Sequence, residues 1–261
     1  RPMGKIYMDF GEPVLLEEVP SGEDKRALSK LALQVGVEAN RVTPITLASL
    51  ATMVLLGSAP RALTRDELTR EIARLAFWAQ ARNITITRHF ELENEAELNA
   101  LAQVLCDNRL VTHVDVGPEV LYGISPRQEA VASYYRNTSS HHFVTKAIAE
   151  LALAGSDVQE RAPLEAFWQE VDRLRDLFKF ELYDAPSEEF RHEVDQELRH
   201  YAPDWQAELA RAAAFARTLL RDFRPLRAHA TLTKFVVAYY VVATVPAVTP
   251  HDKALDATDC L

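Results

Sequence analysis

Three groupings in the 261-residue sequence combine chemistry-bearing residue types at spacings that could put them to use. The densest is Ser133-Tyr134-Tyr135-Arg136-Asn137-Thr138-Ser139-Ser140-His141-His142-Phe143. A guanidinium can grip a phosphate or carboxylate through its fixed fork, and the two imidazoles fall in the first turn of the next helix, where backbone N–H groups favour anions. Tyr135, Arg136, Asn137, His141 and His142 are therefore the candidate binding residues. The competing reading, which carries more weight, is an interhelical turn whose Tyr and Arg cap and pack. No other basic residue lies between Arg136 and Lys146 to share a phosphate's charge.

The second grouping is a pair of Glu-x-x-His units, Glu189 with His192 and Glu197 with His200. Di-iron carboxylate bundles use that spacing, but with the units on different, facing helices. Here both belong to one helix, so a solvated helical face is expected. The third is His251 followed by Asp256, a His-x4-Asp pattern in which an imidazole could act as general base with a carboxylate orienting it. It stands five residues from Leu261, with no downstream sequence to supply a substrate site, and is read as a chance match. The sequence has no Gly-x-Gly pair, P-loop or Gly-x-Ser-x-Gly elbow, and Cys106 and Cys260 lack metal spacing. No catalytic residue, metal ligand or cofactor is assigned to this chain.

Composition narrows the classes. With 48% hydrophobic residues, 26% charged and 8 Gly, the chain reads as globular rather than disordered or repetitive. A net charge of -9 disfavours nonspecific attraction to nucleic acid or an anionic membrane, so such a partner would need a local basic patch. Two cysteines make no disulfide framework and fit a reducing compartment. Arg1-Pro2 in place of Met, and no signal-peptide pattern, suggest a piece of something longer.

The elements that must position these groups are mostly helices. Residues 5–16 alternate apolar and polar as a strand with an extended exit, and that strand's sheet must lie elsewhere because one strand is unstable alone. Helices are expected over 24–36, ending at Gly36, and over 45–56, the latter small, apolar and internal. Thr64-Arg65-Asp66-Glu67 is a capping box opening a helix to about 82. A β-like piece at 84–90, a helix over 94–108 and a hairpin pairing 110–114 with 120–124 complete the order of a winged helix. Beyond 126 only helices are expected: 127–136, 141–153, 163–180, 187–201, 203–223 and 226–244. In the third, Leu164, Phe167, Trp168, Val171, Leu174, Leu177 and Phe178 form a core-facing stripe. The last is apolar, but its uncharged run is too short for the roughly 20 residues of a bilayer span, so it is read as a buried helix.

The fold expected is mainly α: a short N-terminal strand from a truncated α/β domain (1–20), a winged-helix-like subdomain with a small hairpin (21–125), and a multi-helix bundle (126–261). A winged helix invites a nucleic-acid reading, and charge opposes it. Residues 43–125 hold seven arginines against ten acidic residues, and the would-be recognition helix carries Glu95, Glu97 and Asp107 with no Lys or Arg inside it.

Three stretches together resemble one family: residues 4–13 (GKIYMDFGEP), Tyr134-Tyr135-Arg136-Asn137 followed by His141, and Arg224-Pro225-Leu226-Arg227-Ala228-His229. With Phe178-Lys179-Phe180-Glu181 and Phe190-Arg191, the chain resembles the C-terminal region of bacterial membrane-bound glycerol-3-phosphate 1-O-acyltransferase over nearly its whole length. The resemblance implies acyl transfer from an acyl-CoA or acyl-carrier-protein thioester to the 1-hydroxyl of glycerol 3-phosphate, for phospholipid synthesis. It implies no covalent intermediate and no metal, and places the enzyme peripherally at the cytoplasmic face of the bacterial cell membrane. The family's four catalytic blocks would lie before Arg1, so the region alone is expected to be inactive, and His251 to Asp256 falls at the wrong end to inherit the base. The rival expectation is a winged-helix regulatory or protein-interaction module without enzymatic activity.

Overall fold

The computed structural model describes residues 8–16, 22, 24–87, 103, 105–107, 111–116, 119–157, 162–179, 187–224 and 227–248. In chain order the elements are α1 (Lys25–Val42), α2 (Leu47–Ser58), β1 (Leu63–Thr64), α3 (Arg65–Gln80), β2 (Thr112–Val116), β3 (Glu119–Gly123) and α4 (Glu129–Asn137). A 3-10 turn (Ser140–Phe143) leads into α5 (Val144–Ser156). The chain continues with α6 (Pro163–Phe178), α7 (Ser187–Arg199), α8 (Trp205–Arg211), α9 (Phe215–Asp222) and α10 (Ala230–Val248). The protein is mainly α, as its sequence indicates.

Local chemistry sets the clearest boundaries. At the start of α3 the Glu67 backbone N–H donates to Thr64 Oγ1 at 3.2 Å, while Glu67 Oε2 accepts from the Thr64 N–H at 3.1 Å. These reciprocal bonds satisfy two of the N–H groups that a helix start leaves unpaired. Thr46 and Ser49 do the same for α2. Past α3, Asn83 adopts a left-handed backbone (φ 55°), a conformation Asn tolerates, and the chain reverses so that the Ile84 N–H reaches the Ala79 carbonyl. This return lets Ile86 bridge to Ile45 in parallel.

Of the winged-helix order, the helices α2 and α3 and the hairpin of β2 and β3 are present, with one addition. Besides the expected hairpin of β2 and β3, the two residues of β1 pair antiparallel with β3, Leu63 opposite Tyr122 and Thr64 opposite Leu121, giving the order β1-β3-β2. Of the helix expected over 94–108, Gln103 and Leu105–Asp107 are helical and the rest lies outside the described residues.

Several expectations are corrected. Residues 8–16 form no strand, and Phe10 is exposed, consistent with a segment that has no sheet partner here; residues 5–7 lie outside the described residues. Helix α1 runs through Gly36 to Val42 because nothing there ends its hydrogen-bond ladder. The helix expected over 203–223 is two, broken where Ala212 turns extended. Trp205 and Leu209 of α8 pack toward α6, whereas Ala216 and Leu219 of α9 pack toward α5, and one straight helix could not serve both neighbours. In α6 the stripe buries Phe167, Val171, Leu174 and Phe178, but Leu177 is left exposed.

The largest correction is α10. Its first turns are buried through Ala230, Thr231 and Leu232, and Phe235 and Tyr239 lie against Phe178. Val236, Val237, Tyr240 and Val242 are exposed, so the helix is apolar nearly all round yet buried on one side only. Among the described residues, no helix is long and apolar enough to cross a membrane.

One core runs through both halves. Helix α2, with Leu50, Met53, Val54 and Leu55 fully enclosed, packs on α3 and also on α4 and α10, so apolar burial continues across the boundary expected near 125.

Candidate functional site

The Tyr-Arg-Asn-His-His cluster divides into two clamps. Arg136, in the last turn of α4, is 3% exposed. Its Nη1 donates to the Ala230 carbonyl at 3.1 Å, and its Nε and Nη2 donate to Asn137 Oδ1 at 3.2 and 2.9 Å. The fork that could have held an anion is engaged in fastening α4 to the start of α10, an attachment repeated at the surface by Lys234 and Glu129 at 3.5 Å. Burial pushes the Arg136 pKa down, opposed by Glu129, but an arginine this basic stays charged. Tyr134 and Tyr135 stand edge to face at the surface, with ring centroids 5.7 Å apart.

His141 and His142 lie in the 3-10 turn with ring centroids 4.0 Å apart. His142 Nε2 is 2.7 Å from the Thr43 carbonyl at the end of α1, and since a carbonyl only accepts, that nitrogen carries the proton. His141 Nε2 is buried without a hydrogen-bond partner. Burial and the neighbouring His142 push the His141 pKa down to about 4, against the pull of the Asn40 backbone. Burial also lowers His142. Both imidazoles are therefore neutral near pH 7 and anchor the end of α1. Among the described residues no hydrogen bond joins this pair to Arg136.

Sequence reasoning missed the most concentrated chemistry in the molecule. Lys146 and Glu150 sit one turn apart on the inner side of α5, 0% and 3% exposed. Lys146 Nζ donates to the Phe223 carbonyl at 2.6 Å, lies 3.5 Å from Glu150 Oε1, and rests 3.5 Å from the centroid of the Phe223 ring. Burial pushes its pKa down to about 8, with Glu150 and Glu197 opposing the shift. Glu150 Oε2 accepts from the His229 backbone N–H at 3.0 Å and pairs with His229 Nδ1 at 2.9 Å. Alongside, Glu197 takes the Trp78 indole N–H at 2.8 Å and the Arg82 Nε. Arg82 lies over the Trp78 ring, and burial together with Glu197 raises the Tyr201 phenol well above its usual range. Thus α3, α5, α7 and the start of α10 meet around two buried carboxylates and two cations, each charge held by several partners, which is the condition for tolerating ions in an interior. The available signal was a Lys and a Glu spaced i, i+4 inside an otherwise apolar helix.

This network absorbs one motif and corrects another. In the Arg224 to His229 stretch, Arg227 Nη1 donates to the Gly57 carbonyl at 3.0 Å and its Nε lies 3.7 Å from Glu71, while His229 binds Glu150. A side chain at Gly57 would meet Arg227 Cδ at 3.2 Å and Ala230 Cβ at 3.3 Å, so any larger residue there would require Arg227 or the start of α10 to give by a few tenths of an ångström. The paired Glu-x-x-His units are not a uniformly solvated face: Glu189, His192 and His200 are exposed, but Glu197 is buried in the network. Among the described residues, no group of three or more His, Cys, Asp or Glu side chains is arranged to hold a metal ion. His251 and Asp256 lie outside the described residues.

Comparison with known proteins adds what geometry does not carry. The family described as the glycerol-3-phosphate acyltransferase C-terminal region matches residues 1–261. The chain is 31% identical over 250 residues to a provisionally named acyltransferase, plsB1, of Mycobacterium bovis and of Mycobacterium tuberculosis, covering 92% of this chain and 40% of theirs. It is 24% identical over 225 residues to a glycerol-3-phosphate acyltransferase of Pasteurella multocida, covering 79% of this chain and 27% of that one. The chain thus spans less than half the length of the curated relatives it matches.

Proposed function

The chain belongs to the glycerol-3-phosphate acyltransferase C-terminal region family, and from that premise we propose that it is the non-catalytic helical region of an enzyme that acylates the 1-hydroxyl of glycerol 3-phosphate. In the whole protein the hydroxyl oxygen attacks the carbonyl of an acyl-CoA or acyl-carrier-protein thioester, its proton passes to a histidine oriented by an aspartate, and the carbon–sulfur bond breaks as the departing sulfur takes that proton back to leave as the thiol. This reading puts that His-Asp pair outside the residues of this chain, and the reaction at the cytoplasmic face of the cell membrane in phospholipid synthesis. The observation that carries the reading is the family match over all 261 residues.

The geometry agrees with a supporting role. The histidines that the sequence singled out are half-buried, neutral and anchored to α1, and Arg136 is fully committed to α4 and α10. The buried ion network holds four helices in one fixed arrangement, which suits a unit that supports or covers a site built elsewhere. Because the family match spans the whole chain, the rival reading of an independent regulatory module is not favoured.

The test is transfer of labelled palmitoyl from its CoA thioester to glycerol 3-phosphate, with the whole protein and with this chain alone. The whole protein is expected to form lysophosphatidate and the chain alone to form none. Product made by the chain alone, and lost on His251→Ala, would overturn the assignment.

A further inference from the structure

Above the buried network lies an open cleft of about 530 Å³ whose lining is unlike the rest of this acidic chain. One wall is the outer face of α3, where Arg70, Ala73, Arg74 and Phe77 follow one another at helical spacing, continued by Ala81 and Arg82 in the turn that ends it. The other is built from the ends of α7 and α9, through His200, Tyr201, Asp222 and Arg224. Four arginines line it against one carboxylate, Asp222, which lies 3.9 Å from the neighbouring Arg221. Arg82 is neutralised from below by Glu197, and Arg74 is paired at 3.2 Å with Glu71 on its own helix. Arg70 is coupled electrostatically to Glu67 one turn back, but among the described residues neither Arg70 nor Arg224 has a carboxylate at ion-pair distance, and the two guanidinium groups line the space from opposite walls.

The apolar part of the lining is aromatic. Phe77 is 73% exposed on the rim, a costly place for a phenyl ring, between the small side chains of Ala73 and Ala81 that leave its face open. Trp78 and Tyr201 form the floor, held by the Glu197 and Arg82 contacts. The volume lies within the roughly 300–1,000 Å³ of small-ligand clefts and far exceeds what a three-carbon phosphate fills. Unpaired guanidinium forks beside an exposed aromatic face match a ligand that carries both phosphates and a flat ring.

We propose that this cleft is a nucleoside-phosphate binding site, with the base stacked on Phe77 and the phosphates held by Arg70, Arg74 and Arg224. The site draws on none of the residues assigned above as candidate binding groups, and it is tested by binding alone.

Isothermal titration with ADP, pyrophosphate and adenosine as separate probes tests it. The expected result is saturable binding of ADP, with pyrophosphate and adenosine each at least tenfold weaker. Arg70→Ala with Arg224→Ala should weaken ADP at least tenfold, and Phe77→Ala should weaken ADP while leaving pyrophosphate unchanged. All three side chains are at the surface, so the variants keep the fold, and Arg173→Ala on α6 serves as control. No saturable ADP binding, pyrophosphate binding as tightly as ADP, or equal loss in the Arg173→Ala control would each overturn the proposal.

Discussion

Lys146 and Glu150 face each other inside the protein with 3.5 Å between Nζ and Oε1, and neither has appreciable contact with water. An isolated charge in that position would be costly, so the pair is stable only as a pair, completed by the Phe223 carbonyl and by His229. Lys146→Ala should therefore lose about 3–5 kcal/mol, because Glu150 is left buried without its cation. Lys146→Met with Glu150→Gln should recover a large part of that loss. Denaturant melts of the single and double variants measure the coupling, and equal losses in both would refute it.

The two histidines of the 3-10 turn set an acid limit. His141 titrates near pH 4 when folded, against an ordinary value of 6.5, and His142 is lowered in the same direction. Between those values the unfolded chain binds protons that the folded chain does not, so this contribution is present above pH 6.5 and is lost as pH falls toward 4. Glu193, raised by burial, opposes it over the lower part of the range. Melting temperature should fall between pH 6.5 and 4, and His141→Gln with His142→Gln should flatten that limb.

Arg136 should act through stability. Arg136→Ala removes donors to Ala230 and Asn137 at a buried junction, at a cost of about 1–3 kcal/mol. Arg136→Lys should restore less than half, because one ammonium cannot reach both acceptors with the geometry of the fork. In the whole enzyme, a tenfold or greater kinetic loss with an unchanged melt would instead place Arg136 at the substrate.

Helix α10 separates burial from hydrophobicity. Leu232→Ala, at 1% exposure, should cost about 2–5 kcal/mol by opening a cavity. Val237→Asn, at 55% exposure, should change stability by less than about 0.5 kcal/mol although it is the more polar replacement. Thermal melts of the two variants decide whether the outer face of α10 is free of the core.

What the sequence determined by itself was whatever local chemistry enforces. The Thr64–Glu67 box opens α3 because both partners lie within one turn, and the α6 stripe buries Phe167, Val171 and Phe178 because 3.6-residue periodicity defines a face without reference to the rest of the chain. The hairpin of β2 and β3 was legible for the same reason. Tertiary structure alone decided the rest. Glu197 was indistinguishable from its solvated neighbours on α7 until α3 brought Trp78 and Arg82 to it across more than a hundred residues. Arg136 could have been a ligand or a clamp until Ala230 was placed against it. The apolar pattern of α10 showed that the helix avoids water, but only α2 and the aromatic rings of α6 fix which face is covered and which is left open. Periodicity and caps depend on neighbours along the chain, whereas the state of a charged or apolar side chain depends on which other segment desolvates it, and that is set by packing.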